Sequence, residues 1–91
     1  MTPKYKEGEE LYYVNPFAFT IEKVKIGFID IEEVNGELHY IDFTGAYLKE
    51  WDLVKKLPDA KKRAMEYLKR FYRSKEHEIK NTNPDVNLGE F

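Results

Sequence analysis

The sequence predicts an α+β fold: a small, strongly bent antiparallel β-barrel of four or five strands, followed by one C-terminal amphipathic α-helix. Three observations predict it. Short β-favouring segments, separated by turn signals, fill the first 54 residues. The longest of them changes its apolar phase beside Gly27. After Pro58 the apolar period becomes helical. About 50 β residues are too few for a sandwich, and a curled ribbon is the economical way to bury both sheet faces and limit open edges.

Residues 1–7 read as a polar lead. Leu11-Tyr12-Tyr13-Val14 is aromatic and β-favouring, hence strand, and Asn15-Pro16 ends it. Phe17-Ala18-Phe19-Thr20 reads as an apolar loop or a bulged strand start, its two phenylalanines either core or an exposed patch. From Ile21 to Val34, Val24, Ile26 and Phe28 share one face at period two, and Ile29 and Ile31 then take over. A phase change next to glycine predicts a bulge or sharp bend. Asn35-Gly36 predicts a type I′ hairpin turn, because both central positions need positive φ. Glu37–Phe43 returns as the partner strand. Thr44-Gly45 turns again, Ala46-Tyr47-Leu48 is a short strand, and Glu50-Trp51-Asp52-Leu53 closes with a helical turn. Pro58 and Asp59 open a helix at about 58–78, since proline is tolerated in the first turn and an acid suits its positive end. Ala60, Ala64, Tyr67, Leu68 and Phe71, flanked by Met65 and Tyr72, form its apolar arc. Asn81-Thr82-Asn83-Pro84 breaks it. Residues 1–80 are thus expected to be one domain, with 81–91 a flexible tail.

Lys6-Glu7-Gly8-Glu9-Glu10-Leu11-Tyr12-Tyr13-Val14, then Gly36-Glu37-Leu38-His39-Tyr40 and Leu48-Lys49-Glu50-Trp51-Asp52-Leu53-Val54, resemble the opening, middle and ending motifs of small Src-homology-3-like barrel accessory proteins of bacteriophages and mobile elements. Asp59-Ala60 and Ala64 are similar to the start of the helix that follows in them. The likeness covers roughly residues 5–72, with Val54 in place of the usual Phe. It implies the barrel fold and a mobile-element origin. Members are largely uncharacterised, and the resemblance carries over no catalytic residue.

Charge is segregated along the chain. Residues 1–54 hold five Lys against eleven acids, residues 55–75 nine Lys or Arg against Asp59 and Glu66, and residues 76–91 one Lys against four acids, for a net −2. Such asymmetry marks either an interaction surface or internal complementarity between a basic helix and an acidic sheet. Lys62, Lys69, Arg70 and Arg73 form the helical stripe, which Lys55, Lys56 and Arg63 extend.

Catalytic and metal chemistry find little support. The chain has no cysteine, so disulfides, thiolate ligands and thiol nucleophiles are excluded. His39 and His77 stand far apart without zinc spacing, and Asp30, Glu32 and Glu33 alternate across strand faces. Ser74, three residues before His77, lacks an elbow motif and a third partner. The five glycines are scattered, so no phosphate loop forms. A domain this small is also expected to offer little room for a cleft. No apolar run of membrane-spanning length and no signal-peptide pattern occurs, which leaves a cytoplasmic protein as the expectation.

The aromatic surplus, thirteen Phe and Tyr besides Trp51, exceeds what so small a core needs, so some of Phe17, Phe19, Tyr47 and Trp51 should be exposed. The sequence therefore predicts a non-enzymatic protein-interaction module without cofactor or metal. It contacts its partner through Lys62, Lys69, Arg70 and Arg73, with Tyr47 and Trp51 as aromatic contacts. The alternative is a nucleic-acid binder on the basic helix face, with Tyr12, Tyr13, Tyr47 or Trp51 adding stacking. Self-association is a further form of the first reading.

Overall fold

The structure, a computed structural model, describes residues 2–31 and 36–82. In chain order the elements are β1 (Glu10–Val14), β2 (Ile21–Ile31), β3 (Leu38–Asp42), β4 (Tyr47–Lys49), a 3-10 turn over Glu50–Asp52, β5 (Leu53–Val54) and α1 (Leu57–Lys80). The strands form one antiparallel sheet in the order β4-β3-β2-β1-β5.

The long strand β2 belongs to both halves of that sheet. Its first part pairs with β1, Val24 opposite Leu11, and its last part pairs with β3, Ile29 opposite Tyr40. Between them the register shifts from Ile26 opposite Asp42 to Phe28 opposite Ile41. One extra residue in a ladder bends its strand and increases the local twist. Glycine is needed there for space: a Cβ on Gly27 would stand 3.1 Å from the Ile41 carbonyl oxygen and 3.1 Å from a Phe43 ring carbon. The phase change in the sequence is this bulge. Ile29 turns toward the interior while Phe28 is left half in solvent.

The bend folds the sheet over one interior. Leu11, Val24, Ile26 and Leu53 come from the first half, and Leu38, Tyr40 and Leu48 from the second. The sheet does not close into a barrel, which corrects the expectation: the edge strands β4 and β5, of three and two residues, are not paired. The N-terminal lead fills the gap instead. Tyr5 is buried, its hydroxyl donates to the Leu53 carbonyl at 2.9 Å, and its ring meets Tyr40 edge-on. The Tyr40 hydroxyl accepts from the Lys4 and Tyr5 amides at 3.0 and 3.1 Å and donates to Glu50 Oε2 at 2.7 Å. Side-chain hydrogen bonds thus cross where ladder bonds do not, and the supposed polar lead contains a core residue.

The other face of β1 and β5 carries α1. Val14, Val54, Ala60 and Tyr67 form this second cluster, with Tyr12, Phe19, Ile21 and Ala64 packed against it. Pro58 lies in the first turn of the helix, and Asn81 ends it by donating its amide to the His77 carbonyl. The expected wide arc of burial is only partly realised. Ala60 and Tyr67 alone are buried along α1, Leu68 is half-buried, and every residue from Lys69 to Lys80 is exposed. About half of a 24-residue helix, roughly 18 Å at 1.5 Å per residue, therefore carries no buried side chain. Gly36 has the positive φ that a type I′ turn requires, but Asn35, like the tail from residue 83, lies outside the described residues.

Candidate partner-binding groove

Where α1 leaves the sheet, an open groove of about 640 Å³ forms between the helix, the 3-10 turn and the loop after β1. Its walls carry six aromatic rings, those of Tyr13, Phe17, Tyr47, Trp51, Tyr67 and Phe71. Lys49 and Arg70 supply its cations. The domain was expected to offer little room for a cleft, and this one is an open groove at the surface.

Each wall has a local cause. Asn15 Oδ1 accepts from the Phe17 and Ala18 amides at 2.8 and 3.0 Å, an Asx turn that caps the loop. The Phe19 amide returns to the Asn15 carbonyl at 2.9 Å, which holds Phe19 at φ 60. This conformation is unfavourable for a bulky residue, and it is maintained because the ring packs edge-on against Phe71 at 5.5 Å between centroids. The turn leaves Phe17 89% exposed on the rim.

Trp51 is the centre of the opposite rim, 60% exposed. Arg63 fixes it twice: the guanidinium lies 4.3 Å from the indole centroid and donates to the Trp51 carbonyl. Beneath it, Asp52 is buried and accepts a hydrogen bond from the Tyr67 hydroxyl. Burial and the adjacent Asp52 carboxylate push the Tyr67 hydroxyl up to about 12, with Arg63 acting the other way. Burial, then Asp52 and Glu22, also raises Tyr13. The floor is therefore a hydroxyl hydrogen-bonded to a buried carboxylate, and the exposed charges of the groove are the cations Lys49 and Arg70.

The site residues read from the sequence divide between two faces. Tyr47, Trp51 and Arg70 meet in this groove. Lys62, Lys69 and Arg73 lie instead on the outer, wet side of α1, at helical positions that face away from the sheet. Among the described residues, Lys62, Lys69, Arg70 and Arg73 form no ion pair; the acidic pairs of α1 are Lys75 with Glu78 and Lys80 with Glu76. Arg63 leaves the stripe for Trp51, and Tyr12 packs under the helix instead of offering a stacking face. Tyr13, a stacking candidate in the nucleic-acid reading, lines the groove, as do Phe17, expected as core or exposed patch, and Phe71, expected in the apolar arc of the helix.

A second hollow, about 440 Å³, lies between the N-terminal lead and the start of α1. Lys4, Lys55, Lys56, Lys62 and Arg63 line it together with Asp59 and Glu66, so its charge is mixed. His77 contacts the Asn81 side chain at 3.2 Å, and Ser74 faces the groove, so the two form no hydrolytic pair. His39 lies 3.7 Å from Glu37, and among the described residues no group of three or more His, Asp or Glu could hold a metal. No helix among them is long and apolar enough to cross a membrane.

Comparison with known proteins identifies no relative. No family model, no curated protein and no solved structure matches the chain.

Proposed function

We propose that the chain is a non-enzymatic protein-interaction module whose groove takes an extended peptide segment bearing apolar or proline side chains and one or two carboxylates. One observation carries this reading: six aromatic rings, from four elements and the loop after β1, line a single open groove whose exposed charges are Lys49 and Arg70. Rigid aromatic rings supply contact area at low entropic cost, and such surfaces are enriched at protein interfaces. An aromatic-lined groove is also the common receptor for polyproline-type segments. The cations select carboxylates on the incoming chain by long-range attraction and by direct pairing.

The Src-homology-3-like reading belongs with this proposal. Its support is the bent sheet, the long β2 shared by both halves, and Tyr5 linking β3 to β5 across the unclosed side. A phage or mobile-element accessory role rests on the sequence motifs alone and makes the partner a host polypeptide. The experiment is an NMR titration of ¹⁵N-labelled chain with two pools of extended peptides rich in Pro, Leu and Tyr, one bearing Glu at two positions and the other Lys. The Glu pool is expected to shift the Trp51 indole N–H and the amides of Lys49 and Arg70, and the Lys pool to leave them in place. Absence of any shift with either pool rejects the groove as a peptide site.

A second reading has its own observation. Lys62, Lys69 and Arg73 form a wet stripe without acidic partners among the described residues, and such a stripe attracts a phosphate backbone. Its mark is steep salt dependence. A fluorescent single- or double-stranded oligonucleotide that stays unbound at micromolar protein and low salt removes it.

A further inference from the structure

From Met65 to Ile79, α1 carries a seam of residues that belong neither to the groove nor to the cationic stripe. Met65, Leu68, Tyr72, Lys75 and Ile79 follow one another at spacings of three, four, three and four. That is the a/d repeat of a helix that packs against another helix. Met65, Tyr72 and Ile79 are 53, 63 and 74% exposed, and Leu68 is half-buried. On a wheel of 100° per residue the seam lies nearly opposite Arg63, Tyr67, Arg70 and Ser74, which line the groove or, for Arg63, brace it; Phe71, which also lines the groove, flanks the seam and meets the Tyr72 ring edge-on.

We infer that this seam docks a second copy of the chain, helix against helix and antiparallel. Three features choose that occupant. First, charges complement only in that direction. Lys69 and Glu76 occupy the two e positions of the seam, and e faces e′ in an antiparallel pair, so Lys69 meets the partner's Glu76 twice by symmetry. Second, a parallel pair would set Lys75 against its own copy in the seam, a like-charge contact. Antiparallel packing sets it against Tyr72 of the partner, and sets Leu68 against Ile79. Third, the sheet covers the N-terminal half of each helix, so only an antiparallel arrangement puts the two sheets at opposite ends. The exposed segment from Lys69 to Lys80 is then the length that overlaps. Glu76 already meets Lys80 at 2.7 Å, but that pair is exposed, and exposed i,i+4 pairs contribute little.

Sedimentation equilibrium of the full chain from about 10 μM to about 1 mM covers the range expected for an interface this small. The mass is expected to rise from 10.9 kDa towards twice that value. Lys69→Glu alone and Glu76→Lys alone should each remain monomeric, because each sets like charges against each other twice. Mixed in equal amounts they should associate again, since the mixed pair restores both contacts. Both positions are wet, so circular dichroism should be unchanged. Trp51→Ala should leave the association constant within twofold. A wild-type chain that stays monomeric throughout, a mixture that stays monomeric, or a dimer lost on Trp51→Ala would each overturn the proposal; the last would make the groove the interface.

Discussion

Tyr67 shows how one hydroxyl serves both the core and the groove. It is buried and donates to Asp52, which is buried too. Tyr67→Phe removes the donor and leaves a carboxylate without its partner, a loss of about 1–3 kcal/mol. The pH dependence follows from the same contact. The hydroxyl titrates at about 12 in the folded chain against 10.0 when unperturbed, so the folded state holds the proton longer. Its contribution is complete below pH 10 and disappears as pH rises toward 12. Denaturant midpoints measured between those limits should fall more steeply for the wild type than for Tyr67→Phe, although Tyr13 and Tyr40, also raised, leave a residual slope. Gly27 is the second decisive residue. Alanine there would drive its methyl against the Ile41 carbonyl, which the ladder holds in place, and urea denaturation should report a loss of about 1–3 kcal/mol.

Among the elements, the helix divides into two halves with different physics. Ala60 lies at the contact with β1 and β5 and is fully buried, so Ala60→Leu should destabilise by about 1–3 kcal/mol through overpacking. Ile79→Ser, on the exposed half, should stay within about 0.5 kcal/mol when measured on dilute protein. Hydrogen exchange on dilute protein should likewise protect amides 60–68 and release those of 70–80 early. Elements were largely legible in the sequence, because period two, period 3.6, Pro58 and the glycine turns are local signals. The bulge was legible for the same reason, since a bend must move the apolar residues to the other phase. The burial of Tyr5 was not, because it depends on Tyr40 and Leu53, distant in the chain. Nor was the length of helix left uncovered, which depends on where the short strands end. A wide apolar arc records which side chains are greasy and leaves open which of them the sheet reaches.

At the scale of the molecule, two faces with different chemistry lie on either side of one helix. The sequence joined them, since Arg70 and Arg73 are neighbours in a basic run, and the rotation between them puts Arg70 in the groove and Arg73 in water. Trp51 and Tyr47 were legible as exposed aromatics, whereas their convergence with Phe17 and Phe71 needed the fold. The two faces can be separated by substitution. Glu in place of Lys62, Lys69 and Arg73 should abolish any oligonucleotide binding and leave peptide binding within about threefold, while Trp51→Ala and Phe17→Ala together should do the reverse; hot-spot aromatics typically contribute about 2 kcal/mol or more. The most direct measurement is selection of a random peptide display library on the wild-type chain, with the Trp51→Ala, Phe17→Ala chain as counter-target. The groove account predicts enrichment of extended sequences that combine apolar or proline side chains with Asp or Glu and that do not bind the counter-target. Failure to enrich any sequence, or enrichment of peptides that bind both chains equally, would contradict it.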